Sequence, residues 1–172
     1  MEELHRVTPE QFRLQAKFPI VVVLDNIRSM NNVGSVFRTC DALNVSHLWL
    51  CGITARPPQK EISKTALGAT DSVTWSYVED TVTALKKLKE EGYVVMAVEQ
   101  TDASKMLQTI DFCSYEKVAL VMGNEVFGVS DDALPFCDLA VEIPQFGTKH
   151  SMNVTIATGI VLWEAVRQLG RL

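Results

Sequence analysis

The stretch PIVVVL, Pro19 to Leu24, is an unbroken β-branched run of strand length. A strand with one wet face alternates apolar and polar side chains. One that is apolar at every position is covered on both faces, and such strands belong to parallel sheets. The polar segment DNIRSMNN follows, and then Val33, Val36, Phe37 and Cys40 recur at i, i+3, i+4 and i+7, the apolar stripe of a helix. Strand, loop and helix form one unit, and that unit sets the fold class.

The unit repeats along the chain. HLWLC (47–51), VTWSY (73–77), YVVMAV (93–98), VALVM (118–122) and LAVEI (139–143) read as further strands, giving about six. Between them lie a helix around Ile62 to Leu67 and one capped by Asp80, with Val82, Leu85 and Leu88 facing inward and Gly92 ending it. TPEQF at Thr8 to Phe12 opens a short helix with a capping box and Pro at its first position. The periodic segment Met152 to Leu169 predicts a C-terminal helix. This alternation predicts a three-layer α/β domain around a mostly parallel sheet.

At 172 residues, with 47% hydrophobic and 22% charged residues, the chain fits one domain, 1–172, whose residues 1–18 are an N-terminal helical segment. No charged leader precedes an apolar segment and no run approaches membrane length, which predicts a cytoplasmic protein without membrane contact. Cys40, Cys51, Cys113 and Cys137 are scattered and lack metal-ligand spacing, so they read as small buried hydrophobes and no metal is expected. A net charge of −5 means that any nucleic-acid contact must use a local basic patch. ITARPPQKEISK, Ile53 to Lys64, offers one with Arg56, Lys60 and Lys64.

In open α/β sheets ligands sit beyond the carboxyl ends of the strands. DNIRSMNNVG, EQTDAS, GNEVFG and PQFGTKHSMN fall at those ends. GNEVFGVS, Gly123 to Ser130, is spaced almost like a phosphate loop, but Val129 stands where that loop needs Lys, and Glu125 would repel a polyphosphate. A dinucleotide fingerprint is absent, since only Gly34 lies between the first strand and its helix. His150 and Ser151 are adjacent without a nucleophile elbow, which disfavours a hydrolase.

Taken in order, NNVGSVFR (Asn32, Gly34, Arg38), MGNEVFGVS (Gly123, Glu125, Gly128) and IPQFGTKHSMNVTIA (Ile143 to Val154 within it) resemble the motifs of the SpoU/TrmH family of RNA ribose methyltransferases, in the SPOUT superfamily. The likeness spans roughly Pro19 to Leu169. It implies a deep trefoil knot in the C-terminal part, a homodimer, and S-adenosylmethionine as cofactor. The glycine loop then holds a sulfonium cation, which needs no Lys. Val98, Gly123, Gly128, Ile143 and Met152 are the implied cofactor pocket, with Met152 standing where many members have Leu.

Methyl transfer to a ribose 2′-hydroxyl of tRNA or rRNA is the implied reaction, and Arg38, Asn32, Glu125, Ser151 and Asn153 are the implied catalytic set. Guanidinium is always protonated and makes a poor general base. Arg38 is therefore read as stabilising the developing alkoxide and holding the adjoining phosphate. Asn32 is read as bonding Arg38 or the substrate, with Gly34 giving clearance. The chain carries no separate RNA-binding domain in this reading, so Arg28, Arg56, Lys60, Lys64 and Lys149 are the candidate phosphate contacts. The alternative is a catalytically silent RNA-binding or assembly module of the same fold, which has no reason to keep the catalytic set together. A small-molecule methyltransferase is a third reading.

Overall fold

The computed structural model describes residues 7–148 and 151–170. An interior strand of its sheet is β1 (Phe18–Asp25), in which Ile20, Val22 and Leu24 point into one apolar cluster and Val21 and Val23 into another. Both faces of the strand are therefore covered, which is why the sequence carries no polar alternation there. The first cluster lies under α2 (Met30–Ala42), α3 (Lys60–Ala66) and the C-terminal α6 (Val154–Leu169). The second lies under α5 (Thr81–Glu90) and the segment around Ala133. Helices on both faces of one sheet make the three layers.

The sheet has seven strands, all parallel, rather than six. Beside β1 lie β2 (Val45–Cys51), β3 (Trp75–Val78), β4 (Val94–Val98), β6 (Val118–Met122) and β7 (Leu139–Glu142), and the additional strand is β5 (Lys105–Met106) at one edge. With two exposed residues it has no room for a periodic signal. The spatial order is β3-β2-β1-β6-β4-β7-β5. Both β6 and β7 thus enter between strands laid down earlier in the chain.

Local chemistry fixes the ends of the elements. Thr8 and Gln11 form the reciprocal capping box of α1 (Pro9–Leu14), and Asp80 accepts from Val82 N–H and Thr83 N–H at the start of α5. In α5 the inward positions are Ala84, Leu85 and Leu88, while Val82 is half-buried. Gly92 follows with φ +86°, a left-handed turn for which glycine has no Cβ penalty. One further helical turn, α4 (Ala69–Ser72), is too short for a periodic pattern.

The last helix starts at Val154, not Met152, because Asn153 is its N-cap: its Oδ1 accepts from Thr155 N–H at 2.8 Å. Its buried positions Val154, Ala157, Thr158, Val161, Leu162, Ala165 and Val166 follow the helical period. Gly34 lies where α2 meets α3, and an added Cβ would collide with the Ile62 carbonyl and the Thr65 hydroxyl. The clearance it gives is for helix packing. Cys40 and Cys51 are buried and Cys137 partly so, but Cys113 is exposed, so the expectation of buried cysteines fails there. Burial pushes the Cys51 thiol up to about 12 and Cys137 up to about 11. Among the described residues no helix is long and apolar enough to cross a membrane, and no cluster of His, Cys, Asp and Glu is grouped as a metal site.

Candidate functional site

Parallel pairing brings the carboxyl ends of β4, β6 and β7 side by side at one end of the sheet's strands. The loops leaving them, together with the start of α6, enclose a cleft of about 290 Å³. Val98, Gly123, Gly128, Ile143 and Met152 all line it, as do Glu125 and Ser151. Segments separated by more than fifty positions in the sequence thus meet where the motifs place the cofactor. Among the described lining residues none is Lys or Arg, and Glu99 and Glu125 are present. Such a wall repels a polyphosphate and suits a cation with apolar and hydrogen-bonding parts.

The glycine loop is held by carboxylates. Glu99 Oε2 accepts from Val129 N–H at 3.0 Å, and the buried Asp25 accepts from Ser130 N–H at 2.7 Å and from the Thr81 hydroxyl at 2.5 Å. Asn124 donates to the Asn26 carbonyl at 2.6 Å, tying the loop to the end of β1. Neither Asp25 nor Glu99 figured among the residues expected from sequence. The available signal is a carboxylate immediately following a buried apolar run, VVVLD and VMAVE, where a bare surface residue has no packing reason to be acidic.

Glu125 connects the loop to the first motif. It accepts from Asn32 Nδ2 at 2.9 Å, from Arg28 N–H at 3.1 Å and from Ser29 N–H at 3.2 Å, close to the N-terminus of α2. Partial burial opposes its ionisation, but the bonds from Arg28, Asn32 and Ser29 outweigh that cost and hold its pKa below the ordinary 4.5. Asn32 is therefore engaged by Glu125, Ser29 Oγ caps α2, and Asn153 is engaged in capping α6. Ser151 is exposed on the cleft wall.

Arg38 does not line this cleft. It is exposed on α2, roughly 9 Å along the helix axis from Asn32 by the rise per residue, and borders a separate hollow with Phe12, Asp41 and Leu67. Its neighbour Thr39 borders an apolar groove whose floor is the outer face of α6, with Ile156, Ile160 and Trp163. Trp163 is 53% exposed there. Arg28, Arg56, Lys60 and Lys64 are all exposed, and the Arg56 guanidinium lies over the Tyr77 ring at 4.3 Å. Lys149 lies outside the described residues.

Residues 19–163 match the model of the SpoU rRNA Methylase family. The chain is 33% identical over 151 residues to the 23S rRNA (guanosine-2'-O-)-methyltransferase RlmB of Neisseria meningitidis, an alignment that takes in 87% of this chain and 59% of that protein. It is 32% identical over 153 residues to the tRNA (guanosine(18)-2'-O)-methyltransferase of Aquifex aeolicus, covering 87% of this chain and 69% of the relative. Among solved structures, the A. aeolicus TrmH/SpoU tRNA modifying enzyme superposes with a TM-score of 0.84 at 29% identity, over 95% of this chain and 83% of its own. The AdoMet-bound rRNA methyltransferase of Sinorhizobium meliloti gives 0.82 at 31% identity, over 95% and 62%.

Proposed function

Because the chain belongs to the SpoU rRNA Methylase family, we propose that it transfers a methyl group from S-adenosylmethionine to a ribose 2′-hydroxyl of tRNA or rRNA. The observation that carries this is the convergence of Val98, Gly123, Gly128, Ile143 and Met152 on one cleft without a described Lys or Arg in its wall. The names of the N. meningitidis and A. aeolicus relatives, both 2′-O-methyltransferases, support the reaction class. The AdoMet-bound S. meliloti neighbour supports the cofactor.

The cleft fits such a cofactor on chemical grounds. Val98, Met122, Ile143 and Met152 supply apolar wall, strand-end backbone groups supply hydrogen bonds, and Glu99 and Glu125 supply negative potential for a cation. When bound, the cofactor would supply a methyl group activated by a sulfonium leaving group. The protein's part is to hold donor and hydroxyl in line and to ease loss of the hydroxyl proton. Ser151, on the wall, is placed to meet the substrate. Asn32 and Glu125 hold the shape of that wall through the bonds that Glu125 accepts from Asn32 and from the β1–α2 loop, while Asn153 caps α6 beside it.

In this reading the apolar groove over Ile156, Ile160 and Trp163 is the contact of a homodimer. Arg38, next to Thr39 at its border, then acts across the subunit contact as alkoxide and phosphate partner. Entry of β6 and β7 between earlier strands supports a C-terminal trefoil knot. Arg28, Arg56, Lys60 and Lys64, beyond the ends of β1 and β2, are the phosphate contacts, with Lys149 as a further candidate. The whole chain, in this reading, is one catalytic domain.

The test is incubation with methyl-labelled S-adenosylmethionine and total RNA, followed by nucleoside mapping. Label on a ribose 2′-oxygen supports the reading. Label only on a base or a metabolite, or RNA binding without label, overturns it.

A further inference from the structure

Phe127 is held by its backbone while its ring stands in solvent. The turn Asn124 to Gly128 is closed by Asn124 N–H to the Gly128 carbonyl at 2.8 Å and Gly128 N–H to the Asn124 carbonyl at 2.9 Å. Inside it the Asn124 Oδ1 accepts from Val126 N–H at 2.9 Å and Phe127 N–H at 3.2 Å. Asn124 and Glu125 anchor the turn to the β1–α2 loop. The ring at its tip is nevertheless 83% exposed and belongs to neither apolar cluster. A tight turn fixed from several sides presents an aromatic side chain that does no packing for this subunit.

The position of that ring narrows its use. Phe127 borders the same cleft as Gly123, Ile143 and Met152. Phe146, 97% exposed, borders a shallow hollow that shares Gln145, Ser151 and Met152 with the cleft. Both rings therefore edge the stretch to which the methyl acceptor must come. In a nucleotide the 2′-oxygen is borne by the carbon next to the one carrying the base. A ribose with its 2′-oxygen at the cleft therefore necessarily brings its base to the cleft's lip.

Resting on the RNA methyltransferase reading above, we propose that Phe127 is the platform on which the base of the methylated nucleotide stacks, with Phe146 as a second ring on the same lip. Every base offers a π-face, so such a platform accepts an unpaired nucleotide and orients its sugar without reading sequence. A base held in a duplex is stacked on its neighbours and cannot use the ring. The substrate class this selects is a nucleotide in a single-stranded loop or bulge.

The test uses a short single-stranded RNA carrying 2-aminopurine, added to the full chain with S-adenosylhomocysteine present. Leaving its neighbours in the strand to stack on Phe127 changes the emission of the fluorophore, and Phe127→Ala removes that change and weakens RNA binding by about 5- to 150-fold, the range for loss of one stacked base. Phe127→Trp retains both signals, Phe127→Leu does not, and Phe146→Ala weakens binding to a smaller extent. S-adenosylhomocysteine affinity and the oligomeric state stay as in the wild type. Equal RNA binding by wild type and Phe127→Ala overturns the proposal, as does full rescue by Leu. A variant that loses cofactor affinity or changes its oligomeric state also overturns it, since the ring then serves the cofactor or a subunit contact. If the wild type binds neither the cofactor product nor RNA, the methyltransferase reading itself fails, and the proposal fails with it.

Discussion

The carboxylate of Glu99 occupies the space that a side chain on Gly128 would need. Gly128 also has φ +72°, a region that costs other L-residues roughly 1–2 kcal/mol. Glycine is thus required twice, by backbone conformation and by the carboxylate that holds Val129 N–H. Gly128→Ala is expected to push Glu99 aside, release that bond and lower the melting temperature by about 2–8 °C, given about 2–4 °C per kcal/mol for a chain of this size. Titration calorimetry should show S-adenosylmethionine binding about tenfold weaker or worse, a shift of ~1.4 kcal/mol. Gly147→Ala is the control, because a Cβ there meets nothing and φ is not positive. Equal behaviour of the two variants would refute the argument.

Glu125 makes stability depend on pH in a defined direction. Its folded pKa lies below the ordinary 4.5, so the stabilisation is fully present above the unfolded value and is lost as pH falls through the folded one. Glu125→Ala leaves Arg28 N–H, Ser29 N–H and Asn32 without their acceptor, and because water reaches the site the cost near neutral pH is about 1 kcal/mol. Denaturant unfolding should show the gap between wild type and variant narrowing as pH drops below roughly 4. A gap that stays constant, or widens on acidification, contradicts the assigned ionisation.

The outer face of α6 carries the third prediction. Ile160 and Trp163 are 36% and 53% exposed in a helix whose other face is fully packed. Trp163→Glu places a charge at the centre of the groove, where loss of an aromatic anchor costs about 2 kcal/mol or more at an interface. Sedimentation should show the dimer dissociation constant raised at least about 30-fold, with helical content unchanged. A wild type that sediments as a monomer would remove the homodimer from the proposed function.

How much of this was legible in the sequence follows from what each feature costs the chain to encode. PIVVVL announces β1 because covering both faces requires an apolar residue at every position. Thr8 and Asp80 announce helix starts because unpaired N–H groups demand an oxygen. Lys105–Met106 pairs with β7 through backbone alone, so its side chains carry no record of it. The grouping of the cleft wall was legible through its glycines and motif order. For Asp25 and Glu99 the sequence shows only a carboxylate at the end of an apolar run, and the N–H groups that it holds come into place only with the fold. Arg38 is the opposite case: the motif names it, yet α2 carries it to a hollow apart from the cleft.

That displacement makes Arg38 the sharpest test of how the site is assembled. Since its side chain does not border the cleft, Arg38→Ala should bind S-adenosylmethionine with wild-type affinity. Methyl transfer should fall by about 10²-fold or more, the loss seen when a donor to a developing oxyanion is removed. Arg38→Lys keeps the charge without the planar fork and should recover only part of the rate. The decisive measurement mixes Arg38→Ala chains with Gly128→Ala chains. If Arg38 acts across the subunit contact, the mixed dimer pairs an intact cleft on one chain with an intact Arg38 on the other, and activity rises above that of either variant alone. If it acts within its own chain, neither half is complete and the mixture shows no more than the average activity of the two variants, which would overturn the cross-subunit assignment while leaving the cleft and its ligand untouched.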